Sequence, residues 1–477
     1  MINLVFALVP IFVTLVTVPL YIEAVGLERY GILSLIWLLA GMFGFLDLGM
    51  GAATNYMIAR AHSDPSATPI GAVVSTTAVI NFGIGCILGM MFWIALGPLA
   101  FGNVEGTESL KAEIQEAIVW IALLAPLTLA AAVFRHALDG QRKFITVNSI
   151  GTIGQAMTVV VALIVAIVFG PELTNLVLSI VLVRLAMLVC YMVFVFATVK
   201  IERFMNRTEL AELIKFGGWQ TLFSSLTGLV SALDRFVVGW ISGAGATATY
   251  AIAFSLSRRL GFFASAFMRT LYPRLSSVVE LSTRRELVRR ALNSVSCVML
   301  CVTVPSIIIV RPFLSLWLGE ELDQTVGPIA QVLLIAFFMQ TLLSVLFIFK
   351  RASGLPETPA KVRAVTTIPF IITLITLVSL FGGIGAAYAL AVRFGFELVW
   401  MLNSARLMSV TGWVIGCFAM CVTAVFISFL EYGIVLGGVL AATTIFSLGF
   451  ISLRVSSDVA ALVASLAGRL KQGLFTR

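Results

Sequence analysis

The chain has 477 residues, 60% hydrophobic and only 11% charged, with a mean hydropathy of +1.07. A soluble domain carries about 25% charged residues, so this composition excludes a soluble globular protein and describes an integral membrane one. The formal net charge of +8 would suggest nucleic acid in a soluble chain, but its distribution gives it another cause.

A bilayer helix needs about 20 apolar residues, after which the hydrocarbon forces a polar turn. That ruler predicts fourteen spans, near 3–24, 30–54, 70–99, 116–137, 144–169, 174–198, 217–241, 246–270, 289–310, 327–349, 364–381, 384–404, 411–430 and 433–453. The start lacks a basic n-region and a small-residue cleavage site, so it reads as a first span and not as a cleaved signal. With both termini cytoplasmic, 23 of the 31 Lys and Arg fall in inner loops, three (Arg29, Lys111 and Arg311) in outer loops and five inside spans. Cations collect on the cytoplasmic side, and one miscounted span would invert every later loop. The basic balance therefore reads as topology, and no nucleic-acid partner is expected.

The outer loops at 102–115 and 311–326 leave no room for an extracytoplasmic domain. Two inner segments are amphipathic: 206–214, and the tail after Ser457, where Val459, Leu462, Val463 and Leu466 share a stripe. Both read as helices lying on the membrane surface. A partner-binding helix is the alternative for the tail. A short echo, Tyr30-Gly-Ile-Leu-Ser-Leu35 and Tyr250-Ala-Ile-Ala-Phe-Ser-Leu256, suggests two lobes in the same orientation. The predicted organisation is an N-lobe at 1–200 (spans 1–6) and a C-lobe at 201–405 (spans 7–12, after the short amphipathic helix). Residues 406–477 hold spans 13–14 and the cytoplasmic tail. The fold class is all-α integral membrane, two six-helix lobes around a central cationic cavity plus two C-terminal helices.

Eight ionisable residues fall inside the predicted spans: Asp47, Arg184, Asp234, Arg235, Arg258, Arg259, Arg393 and Glu397. One charge at the centre of a bilayer helix costs about 2.5–3.5 kcal/mol on an insertion scale. Such residues are tolerable only where they face one another or a wet cavity. The five arginines point to a lumen for an anionic, phosphate-bearing substrate, because the guanidinium stays charged and binds phosphate bidentately. Structural pairing is the competing explanation, and it is strongest for Arg393 and Glu397, i,i+4 on one helix. The acids Asp47, Asp234 and Glu397 are candidates for ion coupling or for buried links between helices. Pro10, Pro19, Pro126 and Pro305 interrupt spans and predict kinks.

Enzyme signatures are absent. No Gly-rich loop ends in Lys-Ser/Thr, and no His/Asp/Glu cluster lies on an outer loop. The Cys297/Cys301 and Cys417/Cys421 pairs have a spacing that suits a metal, but with no His or carboxylate beside them they read as small packing residues. His62 and His136 read as loop residues. No cofactor or metal is expected. Transport would draw on an H+ or Na+ gradient or on the substrate's own concentration.

Three stretches carry a family resemblance: Pro19-Leu-Tyr-Ile22 with Glu28-Arg-Tyr-Gly-Ile-Leu-Ser-Leu35, then Phe45-Leu-Asp-Leu-Gly-Met-Gly51, then Leu213-Ile-Lys-Phe-Gly217 with Asp234-Arg235, Tyr250 and Pro273-Arg-Leu-Ser276. They resemble the bacterial polysaccharide (O-antigen or exopolysaccharide) flippases of the multidrug/oligosaccharidyl-lipid/polysaccharide exporter superfamily. The match covers spans 1–8 by motif and the rest by layout. It implies a fourteen-helix, two-lobed transporter of the bacterial inner membrane. Such a protein carries an undecaprenyl-pyrophosphate-linked oligosaccharide from the inner to the outer leaflet by alternating access. Its partners would be that lipid-linked oligosaccharide, membrane lipids and glycan polymerase or assembly proteins. Asp47, Asp234 and Arg235 match its motifs; Arg184, Arg258 and Arg259 rest on the charge pattern alone. The start departs from it, because Met1-Ile-Asn3 leaves no basic inner tail. Competing readings are a drug or metabolite exporter of the same superfamily, a peptidoglycan-precursor flippase, and a scaffold or polymerase of envelope glycan assembly.

Overall fold

The structure is a computed structural model that describes residues 2–44, 46–47, 50–61, 68–102, 104, 107–200, 204–206, 228, 230, 232–261, 280–355, 357–428 and 434–455. Among them no strand occurs, and eleven helices are long and apolar enough to cross a bilayer. In the bilayer a helix satisfies every backbone group within its own segment, which is why so apolar a chain resolves into helices. The predicted 206–214 helix beyond Asn206, most of the 217–241 span before Leu233, the 246–270 span after Gly261, His62 and the tail lie outside the described residues.

Helix α1 (Ile2–Phe43) holds the first predicted span and part of the second, joined at Gly26, whose φ of 79° and ψ of 163° are not helical. Helix α8 (Leu233–Ser257) repeats the device at Gly243, with φ 84° and ψ 177°. Glycine takes this backbone conformation with no Cβ penalty, and each of these glycines shortly precedes one of the two echoing motifs.

Other boundaries depart from expectation. The second predicted span is not continuous: α1 stops at Phe43 and α2 (Met50–Ala61) follows a turn. The predicted 311–326 loop is almost entirely helical, because α9 (Leu281–Leu318) and α10 (Glu320–Ala352) are separated by Gly319 alone. The acids that made this stretch look like a loop, Glu320, Glu321 and Asp323, are the first turn of α10, where negative charge complements the helix dipole. Likewise α5 (Glu108–Gly140) starts inside the predicted 102–115 loop, with Thr107 as its cap and Glu108 in its first turn. His136, expected in a loop, lies near the end of α5, which continues through buried Ala137 and Leu138. Helix α3 (Ile70–Met91) passes through a π turn at Phe92–Leu96 into α4 (Gly97–Gly102). Helices α6 (Phe144–Phe169), α7 (Leu173–Phe196), α11 (Glu357–Phe381), α12 (Gly383–Ala405), α13 (Thr411–Ser428) and α14 (Ile434–Val455) fall close to predicted spans. Gly382, with φ 63°, turns α11 into α12.

The chain forms two compact units, Met1–Ala248 and Thr249–Arg477. In the first, α5 lies between α3 and α7. Gly85 and Gly89 on α3 press against Pro126 and Ala122 on α5, so that an added methyl at either would overlap backbone atoms. Small residues let membrane helices approach closely, with dispersion as the gain. Arg29 on α1 grips Glu113 on α5 through two hydrogen bonds of 3.0 and 2.5 Å, and Glu113 also accepts from the Leu173 amide at the start of α7. In the second unit α10 packs on α9 and α12, and α13 and α14 pack on α9. Here Arg311 near the end of α9 faces Asp323 on α10 at 3.4 Å. Just before α9, Glu280 accepts from the Ser282 and Thr283 hydroxyls, which hold its carboxyl below the usual carboxylate range.

Candidate functional site

Four of the expected site residues belong to the first unit. Asp47 lies in the turn before α2, is 9% exposed, and its Oδ2 accepts from the Gly51 amide at 2.9 Å. Its carboxylate therefore satisfies one of the free amides in the first turn of α2, a capping contact. The His136 ring on α5 rests against Gly51 and leaves no room for a Cβ. Asp234 is buried in the first turn of α8, and its Oδ1 accepts from the Arg235 amide at 2.9 Å. Arg235 is half-buried beside it. Arg184 lies midway along α7, half-buried, with its Nε sealed from solvent and without a hydrogen-bond partner among the described residues. Asn81 on α3 is fully buried, with both amide atoms unpartnered among the described residues.

The second unit holds the other four. Arg258 and Arg259 form a single 3-10 turn with Leu260 at the end of α8. Arg258 is exposed, with its guanidinium 5.9 Å from the centre of the Phe254 ring, and Arg259 is half-buried. Arg393 and Glu397 do meet: Nε to Oε1 is 2.9 Å, with side chains 9% and 1% exposed. Thr366 on α11 donates to the same oxygen at 2.7 Å, and the Arg393 guanidinium lies over Phe370 at 4.6 Å.

Sequence reasoning missed Thr366, Phe370 and a second cation in this group, Arg363. The predicted span starts at 364 and leaves Arg363 just outside it, in an inner loop. Proline is accepted in the first turn of a helix, where its missing N–H has no partner to lose. So α11 starts at Glu357 and takes Arg363 inside, where its guanidinium lies over the Phe347 ring of α10 at 5.0 Å. The available signal was the spacing of Arg363, Thr366 and Phe370 on one helical face. Among the described residues no group of three or more His, Cys, Asp or Glu could hold a metal.

Comparison with known proteins decides the family. The sequence model of the polysaccharide biosynthesis protein family matches residues 25–327. The chain belongs to that family. A putative O-antigen transporter of Shigella flexneri is 24% identical over 388 residues, 81% of this chain and 91% of that protein. Two solved structures share the fold. The lipid II flippase MurJ in an inward closed conformation superposes with a TM-score of 0.71 at 13% identity, over 94% of this chain and 99% of its own. An inward-facing multidrug resistance transporter of the MATE family and MOP superfamily gives 0.65 at 15% identity, over 84% of this chain and 95% of its own. The resemblance drawn from the motifs therefore holds at the level of the polysaccharide biosynthesis family and of the fold: this is a multi-pass membrane protein of that family, with the helical architecture of the two solved transporters. The proteins it matches are transporters and flippases, not enzymes.

Proposed function

We propose that the protein flips an undecaprenyl-pyrophosphate-linked oligosaccharide repeat unit from the inner to the outer leaflet of the bacterial inner membrane. It would do so by alternating access between lobes at 1–200 and 201–405, with fourteen spans and cytoplasmic termini. The observation that carries this reading is Arg184, a guanidinium midway along an apolar helix whose buried Nε has no partner among the described residues. An intramembrane cation with no carboxylate beside it among the described residues is expensive, and we read it as part of the path of an anionic cargo. Arg235, Arg258 and Arg259 would add to that path, and their charge argues against an exporter of organic cations. Glu397 is held by Arg393 and Thr366, so Asp47 and Asp234 are the better candidates for coupling to an H+ or Na+ gradient. Polymerase and assembly proteins of the glycan pathway would take up the product.

The test is the leaflet distribution of the lipid-linked repeat unit in inverted and right-side-out vesicles, at matched protein levels. Arg184→Gln, and separately Arg258→Gln with Arg259→Gln, are expected to leave the unit on the inner leaflet. Wild-type distribution in both variants would overturn the cationic path and raise the drug-exporter and scaffold readings.

A further inference from the structure

In the second unit one oxygen of Glu397 is doubly engaged. Its Oε1 receives both the Arg393 Nε–H at 2.9 Å and the Thr366 hydroxyl at 2.7 Å. Arg393 has its own aromatic support in Phe370. Arg363 lies on the same face of α11, within electrostatic range of both Glu397 and Arg393. Yet its side chain makes no hydrogen bond or ion pair with a described residue; its one partner is the Phe347 ring. Two guanidiniums thus share one carboxylate, and the carboxylate is turned to Arg393. The group keeps one surplus positive charge, and it is carried by Arg363.

The aromatic contact places the guanidinium carbon 5.0 Å from the centre of the Phe347 ring, which is itself 4% exposed, and no described residue accepts from the N–H edges. Those edges match a phosphate bidentately. Arg363 is six residues into α11, roughly 9 Å along the axis at about 1.5 Å per residue. It lies toward the end of the unit where α10 closes with Lys350 and Arg351 and α12 closes before Arg406. Under the positive-inside topology this is the cytoplasmic side, just below the headgroups.

We propose that Arg363 binds the phosphate of a membrane lipid from the cytoplasmic leaflet, and that Arg393 and Thr366 make this possible by occupying Glu397. The site deepens the flippase reading by naming a residue that meets the phosphate of the cargo; it rests on that reading for the identity of the lipid only. The probes are polyprenyl monophosphate and phosphatidylglycerol, each offered to the purified full-length protein, with lipid retention read by native mass spectrometry and inorganic phosphate as competitor. Arg363→Gln is expected to lower retention about tenfold, the loss of one charge-assisted hydrogen bond. Arg363→Lys, which keeps the charge but not the fork, is expected to fall between. Lys361→Gln, exposed on the same helix, should bind as wild type. If the Gln variant does not fold, the Lys variant decides. Wild-type retention by the folded variants overturns the site, and inorganic phosphate bound with neither lipid retained overturns the lipid assignment. Retention of polyprenyl phosphate alone makes the site one for cargo, whereas equal retention makes it one for leaflet phosphates at large; both support it. Because binding is read without transport, a protein that binds but does not translocate fails the flippase reading and leaves this one standing.

Discussion

Gly31 shows how much one residue can decide. It lies where α1 passes α8, against the Ala244 carbonyl and the Ala248 amide, and a side chain there would overlap backbone. Gly31→Val should therefore cost about 1–3 kcal/mol, as overpacking does, read as a lower unfolding temperature of the detergent-purified protein. Gly41 on the same helix has open space around it, and Gly41→Ala should be neutral or slightly stabilising. Asp47 separates two roles at one position. Asparagine also caps helices, so Asp47→Asn should keep the unfolding temperature, whereas Asp47→Ala should lower stability by about 1 kcal/mol. If Asp47 couples transport to an ion gradient, the Asn variant loses gradient-driven flipping with its stability intact; unchanged gradient dependence reduces Asp47 to a cap.

Between elements, charge acts in pairs. Removing Glu397 alone leaves Arg393 buried without its carboxylate, and breaking a buried pair costs about 3–5 kcal/mol. Removing both, as Arg393→Met with Glu397→Leu, should cost much less, since a buried pair can often be replaced by packed apolar groups. Chemical denaturation of the two single variants and the double one checks this, and additive losses would show that the pair is not coupled. The Arg29–Glu113 clasp belongs to the same class: two side-chain bonds and the Leu173 amide join the starts of α5 and α7 to α1.

For the whole molecule, the charge asymmetry makes a topological prediction. In a background without the native cysteines, Glu320→Cys, exposed at the start of α10, should react with an impermeant maleimide in intact cells. Leu355→Cys, exposed beyond its other end, should react only after permeabilisation. The reverse pattern would invert the orientation, and with it the direction of transport.

Membrane residence, helical class, family and the spacing of most helices were determined by the sequence alone. Hydrocarbon imposes one rule on every segment, about 20 apolar residues and then a polar turn, and a rule that local needs no tertiary knowledge. The Arg393–Glu397 pair was legible for the same reason, being i,i+4 on one helix. Only the tertiary structure decided which carboxylate serves which cation. Thr366 reaches Glu397 from a different helix, and the two helices are brought together by Gly385, whose close approach to the Leu377 carbonyl admits no side chain. The roles of Asp47 as a cap and of the acids at 320–323 as a helix start also came from the structure. A carboxylate in an apolar sequence looks alike whether it meets a backbone amide, a guanidinium or a travelling ion, and three-dimensional neighbours alone tell these apart.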